Sequence, residues 1–329
     1  MKRAILLSIM ALLTLNSLQA QTSIDEMYFN ARGSFAYNHD DDSDTKGFAG
    51  EYFNFVIAGQ IDNNLSFRIR QRFNKQIVKD NNPFNATDFL YIDWKIDDNW
   101  SFTFGKQAIA IGGYEYDYAP IDVYYYSDFC DRLPECYAFG ATMSYKFNEN
   151  QLLMLQVTNS PFKGGFSDLL TYNLAWYGQI APWWKTIWSV NEAEYKSGDF
   201  FNYIALGNKF IFGDFYLDLD VMNRYMKDYD DFLAYDWNVV AKLNYNYKNY
   251  NFFVKGGYDE FVPYGSLIDG GYPYDPNAQE DYTHIGAGVE YFPLNNENLR
   301  LHAVYSYQDR EERHTILLGA TWKFNMIKK

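Results

Sequence analysis

Apolar and polar residues alternate along most of the chain from Met27 onward, and no segment shows the 3.6-residue period of a helix. A period of two is typical of strands that bury one face. It predicts sixteen strands, near residues 26–38, 48–61, 65–77, 87–96, 100–109, 136–147, 151–160, 168–180, 186–196, 200–212, 215–226, 233–247, 251–260, 282–292, 299–308 and 314–325.

The connections between these strands alternate in character. Every second one is a tight polar turn rich in Asn, Asp and Gly, such as Asp62-Asn63-Asn64 and Gly213-Asp214, which is typical of β-hairpins. The intervening connections are mostly longer, at residues 39–47, 78–86, 110–135, 161–167, 197–199, 227–232, 261–281 and 309–313. Short turns at one rim and longer loops at the other are typical of a membrane β-barrel.

The alternation also assigns the two faces of each strand. In the last strand Ile316, Leu318 and Trp322 are expected to contact lipid, whereas Thr315 and Lys323 face inward. In strand 136–147 the outward set is Tyr137, Phe139, Ala141, Met143, Tyr145 and Phe147. The inner faces are polar, which indicates a wet interior, and sixteen strands are enough to leave an aqueous channel.

Residues 1–20 have the pattern of an export signal, because Lys2 and Arg3 precede an apolar run and Ala20 ends a small-residue cleavage site. Residues 21–329 are then expected to form the barrel. No later segment has the ~18–20 consecutive apolar residues of a spanning helix, so the exported chain is either soluble or a closed barrel. Aromatic residues make up 20% of the chain. This content favours the barrel, whose rims carry aromatic girdles.

We therefore predict an all-β fold, a transmembrane antiparallel β-barrel of sixteen strands, in the outer membrane of a Gram-negative bacterium. Its expected partners are membrane lipid and lipopolysaccharide, together with small hydrophilic solutes or ions. The formal net charge of −14 argues against a nucleic-acid partner, which requires clustered Lys and Arg.

Strand 65–77 carries a row of basic residues on its inner face. Arg68, Arg70 and Arg72 are two residues apart, so they share one face and span ~13 Å of the wall. Their guanidinium groups suit carboxylate or phosphate. Lys242 and Arg300 are expected to extend this basic lining. Two interpretations stay open, an active role in steering anions and a passive, solvated lining.

The long connection 110–135 is acidic and follows strand five. We predict that it folds into the barrel as a constriction loop, since an ordered connection of this length is usually functional. Its carboxylates would then face the basic wall of Arg68, Arg70 and Arg72, and the resulting transverse field would select polar, dipolar solutes. The alternative is a loop that stays outside in solvent. The acidic residues are Glu115, Asp117, Asp122, Asp128, Asp131 and Glu135, beside one Arg132.

Cys130 and Cys136 are the only cysteines. Because they lie six residues apart in an exported chain, they are predicted to form a short disulfide that pins the loop. The four histidines are scattered without metal-ligand spacing. The acidic run that begins at Asp40 fails the calcium-loop pattern, because Thr45 and Lys46 replace the third oxygen ligand before Gly47. We therefore expect no metal site and no cofactor.

Three runs of residues resemble the phosphate-selective porin O and P family, in the version common among Bacteroidetes-type bacteria. They are GKQ at 105–107, EYDYAP at 115–120 and IDVYYYSDF at 121–129. The resemblance implies a sixteen-stranded barrel, usually a homotrimer, that passes small solutes passively. General porins send their constriction loop inward from the same position after strand five.

The family's arginine ladder, which draws phosphate together with loop lysines, is similar to the row formed by Arg68, Arg70 and Arg72. The loop departs from the family, because no lysine lies between Gly112 and Cys136. A general or weakly selective diffusion pore is therefore the expectation, with anions such as phosphate among its solutes.

The leading hypothesis is a passive porin without catalytic residues. A non-conducting barrel that acts as a scaffold or ligand-capture partner is the alternative, because the loop tyrosines could fill the lumen. A barrel enzyme is a third hypothesis. It would need a Ser/His/acid set at one height in the barrel, and the chain has no G-x-S-x-G motif.

Overall fold

The computed structural model describes residues 22–40, 44–74, 83–131, 133, 136–163, 168–226, 232–260 and 281–328. The predicted signal peptide at 1–20 and nearly all of the predicted loop 261–281 lie outside these residues. The strands are β1 (Ser23–His39), β2 (Asp44–Asp62), β3 (Leu65–Arg72), β4 (Thr87–Lys95), β5 (Trp100–Ala108), β6 (Tyr137–Asn148), β7 (Gln151–Asn159), β8 (Leu170–Ala181), β9 (Trp184–Lys196), β10 (Asp199–Phe212), β11 (Phe215–Met226), β12 (Trp237–Tyr247), β13 (Tyr250–Asp259), β14 (Tyr282–Tyr291), β15 (Leu299–Gln308) and β16 (Arg313–Lys328).

Each strand pairs antiparallel with its neighbours in sequence, and β1 pairs with β16 to close the barrel. The closing seam runs from Glu26 opposite Lys328 to His39 opposite His314. Closure leaves no sheet edge in the hydrocarbon, where unpaired backbone N–H and C=O groups are costly. The predicted antiparallel barrel of sixteen strands is therefore confirmed.

The helical structure of the described residues is short and lies in two connections. Helices α1 (Tyr114–Asp117) and α2 (Asp128–Asp131), with a 3₁₀ turn at Pro120–Asp122, lie between β5 and β6. Another 3₁₀ turn, Pro83–Ala86, precedes β4. Within the described residues, no helix is both long enough and apolar enough to cross a membrane.

The outer face of the barrel is apolar. Exposed aliphatic side chains such as Leu155, Val254 and Leu318 occupy its middle. Near the rim of short turns the side chains become aromatic, and Trp183 stacks there with Phe210 and Phe212. An aliphatic band flanked by aromatic residues is the pattern of a surface that contacts lipid.

The inner face is polar, and one part of it is buried. On β6 to β9, Gln156 donates to Thr142 (3.0 Å), Asn173 donates to Gln156 (2.9 Å) and Asn191 donates to Asn173 (2.7 Å). Buried polar groups require such partners. This side of the wall is buried because the connection between β5 and β6 covers it.

The observed strands agree with the predicted segments to within a few residues, with two larger differences. β12 begins at Trp237 rather than 233, because Leu233 and Asp236 have φ of 61°, which is incompatible with an extended strand. β3 ends at Arg72 instead of 77, although residues 75–77 lie outside the described part of the chain.

The predicted outward orientation of Tyr137 was wrong. Its hydroxyl accepts a hydrogen bond from Arg70 (2.6 Å), and its ring lies 5.3 Å from that of Phe89. β4 pairs with β5 only as far as Leu90 opposite Lys106, whereas β5 and β6 remain paired to Ala108 opposite Tyr137. The end of the β5–β6 pair therefore packs over the inner face of β3 and β4, so Tyr137 lies inside the barrel.

The two faces of β3 provide a test of which side chains contact lipid and which face the lumen. Ile69 is paired with Ile57 and Leu90 on the outer face, so Ile69→Arg would place a guanidinium in hydrocarbon. We expect a loss of about 2–4 kcal/mol in the free energy of unfolding if the site lies near the midplane. Urea-dependent folding into lipid vesicles, followed by tryptophan fluorescence, measures it.

The matched control is Ser66→Arg, on the inner face of the same strand and opposite Asp93. It is expected to change the free energy by no more than about 0.5 kcal/mol. Equal losses of unfolding free energy in the two variants would contradict the assignment of Ile69 to the outer face and Ser66 to the inner face.

Candidate functional site

The connection between β5 and β6, residues 109–136 and called the inner loop below, lies inside the barrel. Its first residues bind the wall through backbone N–H groups. Ala110 donates to Gln156 Oε1 (2.7 Å) on β7, and Gly112 donates to Ser189 Oγ (2.7 Å) on β9. A side chain at Gly112 would collide with the wall, since a Cβ there would lie 2.6 Å from the Ile187 carbonyl oxygen.

Two wall carboxylates bind the first N–H groups of the two short helices. Asp220 on β11 accepts from Tyr114 and Glu115 at the start of α1, both at 2.8 Å. Asp259 on β13 accepts from Phe129 (3.1 Å) and, more weakly, Asp128 (3.3 Å) at the start of α2. These N–H groups have no partner within a helix, so the wall satisfies them and fixes the position of each helix.

A buried ion pair connects the centre of the inner loop to β13. Glu115 binds the Lys255 ammonium and accepts from the Ser127 hydroxyl and, at 3.0 Å, from the Ser127 N–H. Burial alone would raise the pKa of Glu115, but Lys255 and the two Ser127 hydrogen bonds outweigh it and the pKa is lowered. Glu115 is therefore held as a carboxylate.

Arginines of the far wall bind the other half of the inner loop. Arg32 on β1 donates to the carbonyls of Ile121 (2.7 Å) and Val123 (2.9 Å). Arg300 on β15 pairs with Asp122 (2.9 Å). Further along, Arg310 pairs with Asp128 (2.8 Å). The inner loop is thus anchored to β7, β9, β11, β13, β15 and β1, and to the turn after β15.

The five candidate carboxylates of the inner loop separate into two groups. Glu115 and Asp128 are largely enclosed and act as anchors. Asp117 and Asp131 are exposed, and Asp122 is partly exposed while it pairs with Arg300. Arg132 and Glu135, which the sequence also placed in this loop, lie outside the described residues.

The three arginines of β3 do line the inner face, but two of them share one carboxylate. Arg70 and Arg72 donate through Nε to Asp88 Oδ2, at 2.9 and 2.6 Å. Asp88 is 1% exposed, and the Arg70 and Arg72 side chains are 10% and 12% exposed. Arg68 is the most accessible of the three, at 31%, with Glu26 at 3.8 Å.

The expectation that loop carboxylates face the wall of Arg68, Arg70 and Arg72 is met only in part: Asp131 lines one cavity with Arg72. Glu115, Asp122 and Asp128 pair instead with Lys255, Arg300 and Arg310. The arginine row has a carboxylate of its own because of a β-bulge on β4, where Arg70 pairs with Phe89 but Gln71 pairs with Thr87. The extra residue, Asp88, turns inward beside the arginines and offsets part of their charge.

Lys242 and Arg300 also lie on the inner wall. The Lys242 ammonium lies over the rings of Tyr118 (5.4 Å) and Phe253 (4.9 Å). Arg300 pairs with Glu290 (3.3 Å) in addition to Asp122. Both predicted basic residues are therefore beside the inner loop.

The structure does not show the predicted disulfide, because Cys130 and Cys136 are not bonded to each other. Cys130 is buried on α2, where its N–H donates to Ser127 Oγ (3.3 Å), and it packs into an apolar cluster with Phe129 and Phe201. Cys136 packs against the same cluster. Hydrogen bonds, ion pairs and this cluster fix the inner loop without a covalent bridge.

Sequence reasoning missed four residues that position the inner loop, namely Arg32, Asp220, Lys255 and Asp259, and it missed Asp88, which binds Arg70 and Arg72. Alternation alone places Arg32, Asp220, Lys255 and Asp259 on inner faces. A charged residue on the inner face of a barrel strand was therefore the sequence signal that could have identified them. Their partners across the barrel could not be read from the sequence.

The lumen that remains open lies on the other side of the inner loop. One cavity, of about 340 Å³, is bounded by Arg72, Tyr137 and the loop residues Tyr126 and Asp131. A second, of about 580 Å³, reaches Asn38, Asp40, Ser306, Arg313 and Thr315, also near the rim of long loops. Both cavities lie between the inner loop and the barrel wall.

Comparison with known proteins supports this architecture. OmpT, an outer membrane protein of Vibrio cholerae, in its in-vitro folded trimer form, superposes with a TM-score of 0.62 at 12% identity, over 92% of this chain and 99% of that chain. A triple mutant of the Rhodopseudomonas blastica porin gives 0.53 at 14% identity, over 92% and 100%. At these identities the likeness establishes the fold. No curated protein matches the chain.

The family comparison covers the first eight strands. Residues 26–182 match the model of the family described as phosphate-selective porin O and P, a range that runs from within β1 to just past the end of β8. The match confirms the family resemblance over the first eight strands, and the solved structures show that the chain has the fold of outer-membrane porins, in agreement with the predicted location in the outer membrane of a Gram-negative bacterium.

Proposed function

We propose that this porin is a passive diffusion channel for small hydrophilic solutes and ions, with a fixed constriction and weak charge selectivity. The observation that carries the proposal is the placement of the inner loop. It is anchored along β7 to β15, and water-accessible cavities bounded by polar side chains remain beside it. Such a lumen narrows the pore without filling it.

The distribution of charge supports weak selectivity over phosphate selectivity. Phosphate recognition by arginine depends on guanidinium groups whose N–H donors can reach the anion. Here Arg70 and Arg72 each commit a donor to Asp88, whereas Asp117 and Asp131 are exposed. Phosphate and chloride therefore pass without strong preference, and the exposed carboxylates favour cations slightly.

The proposed partners follow from the outer surface and from the comparisons. Lipid contacts the aliphatic band, and lipopolysaccharide contacts the rim of long loops. A homotrimer is proposed because a trimer form exists for OmpT of Vibrio cholerae. A non-conducting scaffold remains the second hypothesis, because Tyr124, Tyr125 and Tyr126 occupy part of the lumen.

Conductance in planar bilayers tests the channel and its selectivity. We expect discrete open-channel currents, a reversal potential near zero in a KCl gradient, and similar conductances in chloride and phosphate salts. Changing Asp117 and Asp131 to Asn should shift the reversal potential towards anion selectivity, because these carboxylates are exposed beside the inner loop.

The matched control removes two carboxylates from the short turns, by changing Asp62 and Asp98 to Asn. These side chains are exposed outside the constriction, and salt screens them over about 8 Å at physiological ionic strength, so the shift should be much smaller. A protein that gives no current in planar bilayers would favour the scaffold hypothesis. A strong preference for phosphate over chloride would contradict weak selectivity.

The Lys255–Glu115 pair tests whether the constriction is fixed. Lys255→Met leaves the Glu115 carboxylate buried without its cation, a change that typically costs about 3–5 kcal/mol. The inner loop should then detach locally. We expect flickering single-channel currents, and proteolytic cleavage within the inner loop under conditions where the parent protein is resistant.

The double variant Glu115→Gln with Lys255→Met is the control, because replacing both partners of a buried pair is often neutral. The double variant should again show steady single-channel currents without flickering. Quiet currents in Lys255→Met itself would show that this ion pair does not hold the loop.

A further inference from the structure

The cavity of about 340 Å³ beside the constriction has the features of a binding site for a small molecule. It lies between the inner loop and the wall formed by β3, β5 and β6. Small-molecule sites commonly measure roughly 300–1,000 Å³ and combine aromatic walls with a few polar groups. The residues that matter here are Tyr116, Tyr118, Tyr126, Tyr137, Arg72 and Asp131.

The aromatic walls of this cavity are held in place. Tyr116 donates to the Cys136 carbonyl (3.2 Å), Tyr118 donates to Asp218 (2.6 Å), and the Tyr137 hydroxyl accepts from Arg70 (2.6 Å). Tyr126 packs against the apolar cluster that contains Phe129. Fixed rings lose little conformational entropy when a ligand packs on them.

Charge excludes two classes of ligand from this cavity. An anion would meet the exposed Asp131 carboxylate, and Asp88 already offsets part of the charge of Arg70 and Arg72. An organic cation would find rings that already hold cations, since Arg72 lies 5.6 Å from the Tyr137 ring, and Lys209 lies 5.0 Å from the Tyr118 ring. A neutral molecule avoids both penalties.

We propose that this cavity binds a neutral sugar of one or two rings during its passage through the pore. The C–H faces of the sugar pack on the tyrosine rings, and its hydroxyls accept from Arg72 and donate to Asp131. The inference rests on the proposed channel function and specifies a substrate class for it. Rigid aromatic faces and one donor–acceptor pair at the edge suit a ring that is apolar on its faces and polar around its rim.

Single-channel recording with glucose or maltose in the bath tests the inference. We expect brief, concentration-dependent interruptions of the open current. Tyr126→Ala should weaken this block about tenfold, as the loss of one stacking ring would. Tyr91→Ala, which removes a tyrosine of β4 opposite Arg68 and outside the cavity, should leave both the block and the open-channel current unchanged.

Chemical modification provides a second readout. Cys136 is partly exposed and lines the cavity, so bound maltose should slow its labelling by a methanethiosulfonate reagent in a Cys130→Ser background. Sorbitol at equal concentration, an open-chain polyol without ring faces, should not slow it.

The possible outcomes separate the two proposals. Open currents without interruption by either sugar, in a protein whose labelling maltose does not slow, would overturn the sugar site and leave the channel function intact. Interruption by inorganic phosphate alone, lost in Arg72→Gln, would also overturn it, in favour of an anion site. Absence of any current would contradict the channel function itself.

Discussion

The need to satisfy every backbone hydrogen bond within hydrocarbon determines this structure. It requires the sheet to close, and closure between β1 and β16 creates an enclosed polar inner wall. A connection that enters this interior must also satisfy its own N–H groups. The inner loop does so with side chains of the wall, through Gln156, Ser189, Asp220 and Asp259. Barrel and loop are therefore complementary parts of one hydrogen-bonding arrangement.

Buried charge specifies where the inner loop lies. Ion pairs such as Lys255–Glu115 contribute little net stability relative to apolar packing, because desolvation offsets the attraction between the charges. Breaking one pair leaves a buried charge uncompensated, so any displaced position of the loop is costly. Since wall carboxylates bind the first N–H groups of α1 and α2 and wall arginines bind Val123 and Asp122, the anchors act from several directions. The result is one defined position for the constriction.

The sequence predicted the strands, the facing of most residues and the inward loop, because a period of two and an unusually long connection are local signals. The ion-pair partners were not predictable, because a bulge moves a side chain to the other face of the sheet without a local signal in the sequence. On β4 the bulge turns Asp88 towards Arg70 and Arg72. On β2 a second irregularity lies between Arg32 opposite Tyr52 and Gly33 opposite Gly50, and the intervening Glu51 pairs with Arg32. Strict alternation assigns both carboxylates the wrong face.

These two bulges change how a row of inward arginines should be interpreted. A spacing of two residues establishes that the guanidinium groups share a face, but the field they exert depends on which carboxylates a bulge places beside them. In this barrel Arg70 and Arg72 lie among Phe89, Tyr52 and Tyr137 and bind Asp88. They therefore support the wall of the cavity beside the constriction, and Arg68, the most exposed of the three, lies nearest to solvent. The same residue pattern can serve anion attraction in one barrel and wall structure in another, and the position of a single bulged carboxylate decides between them.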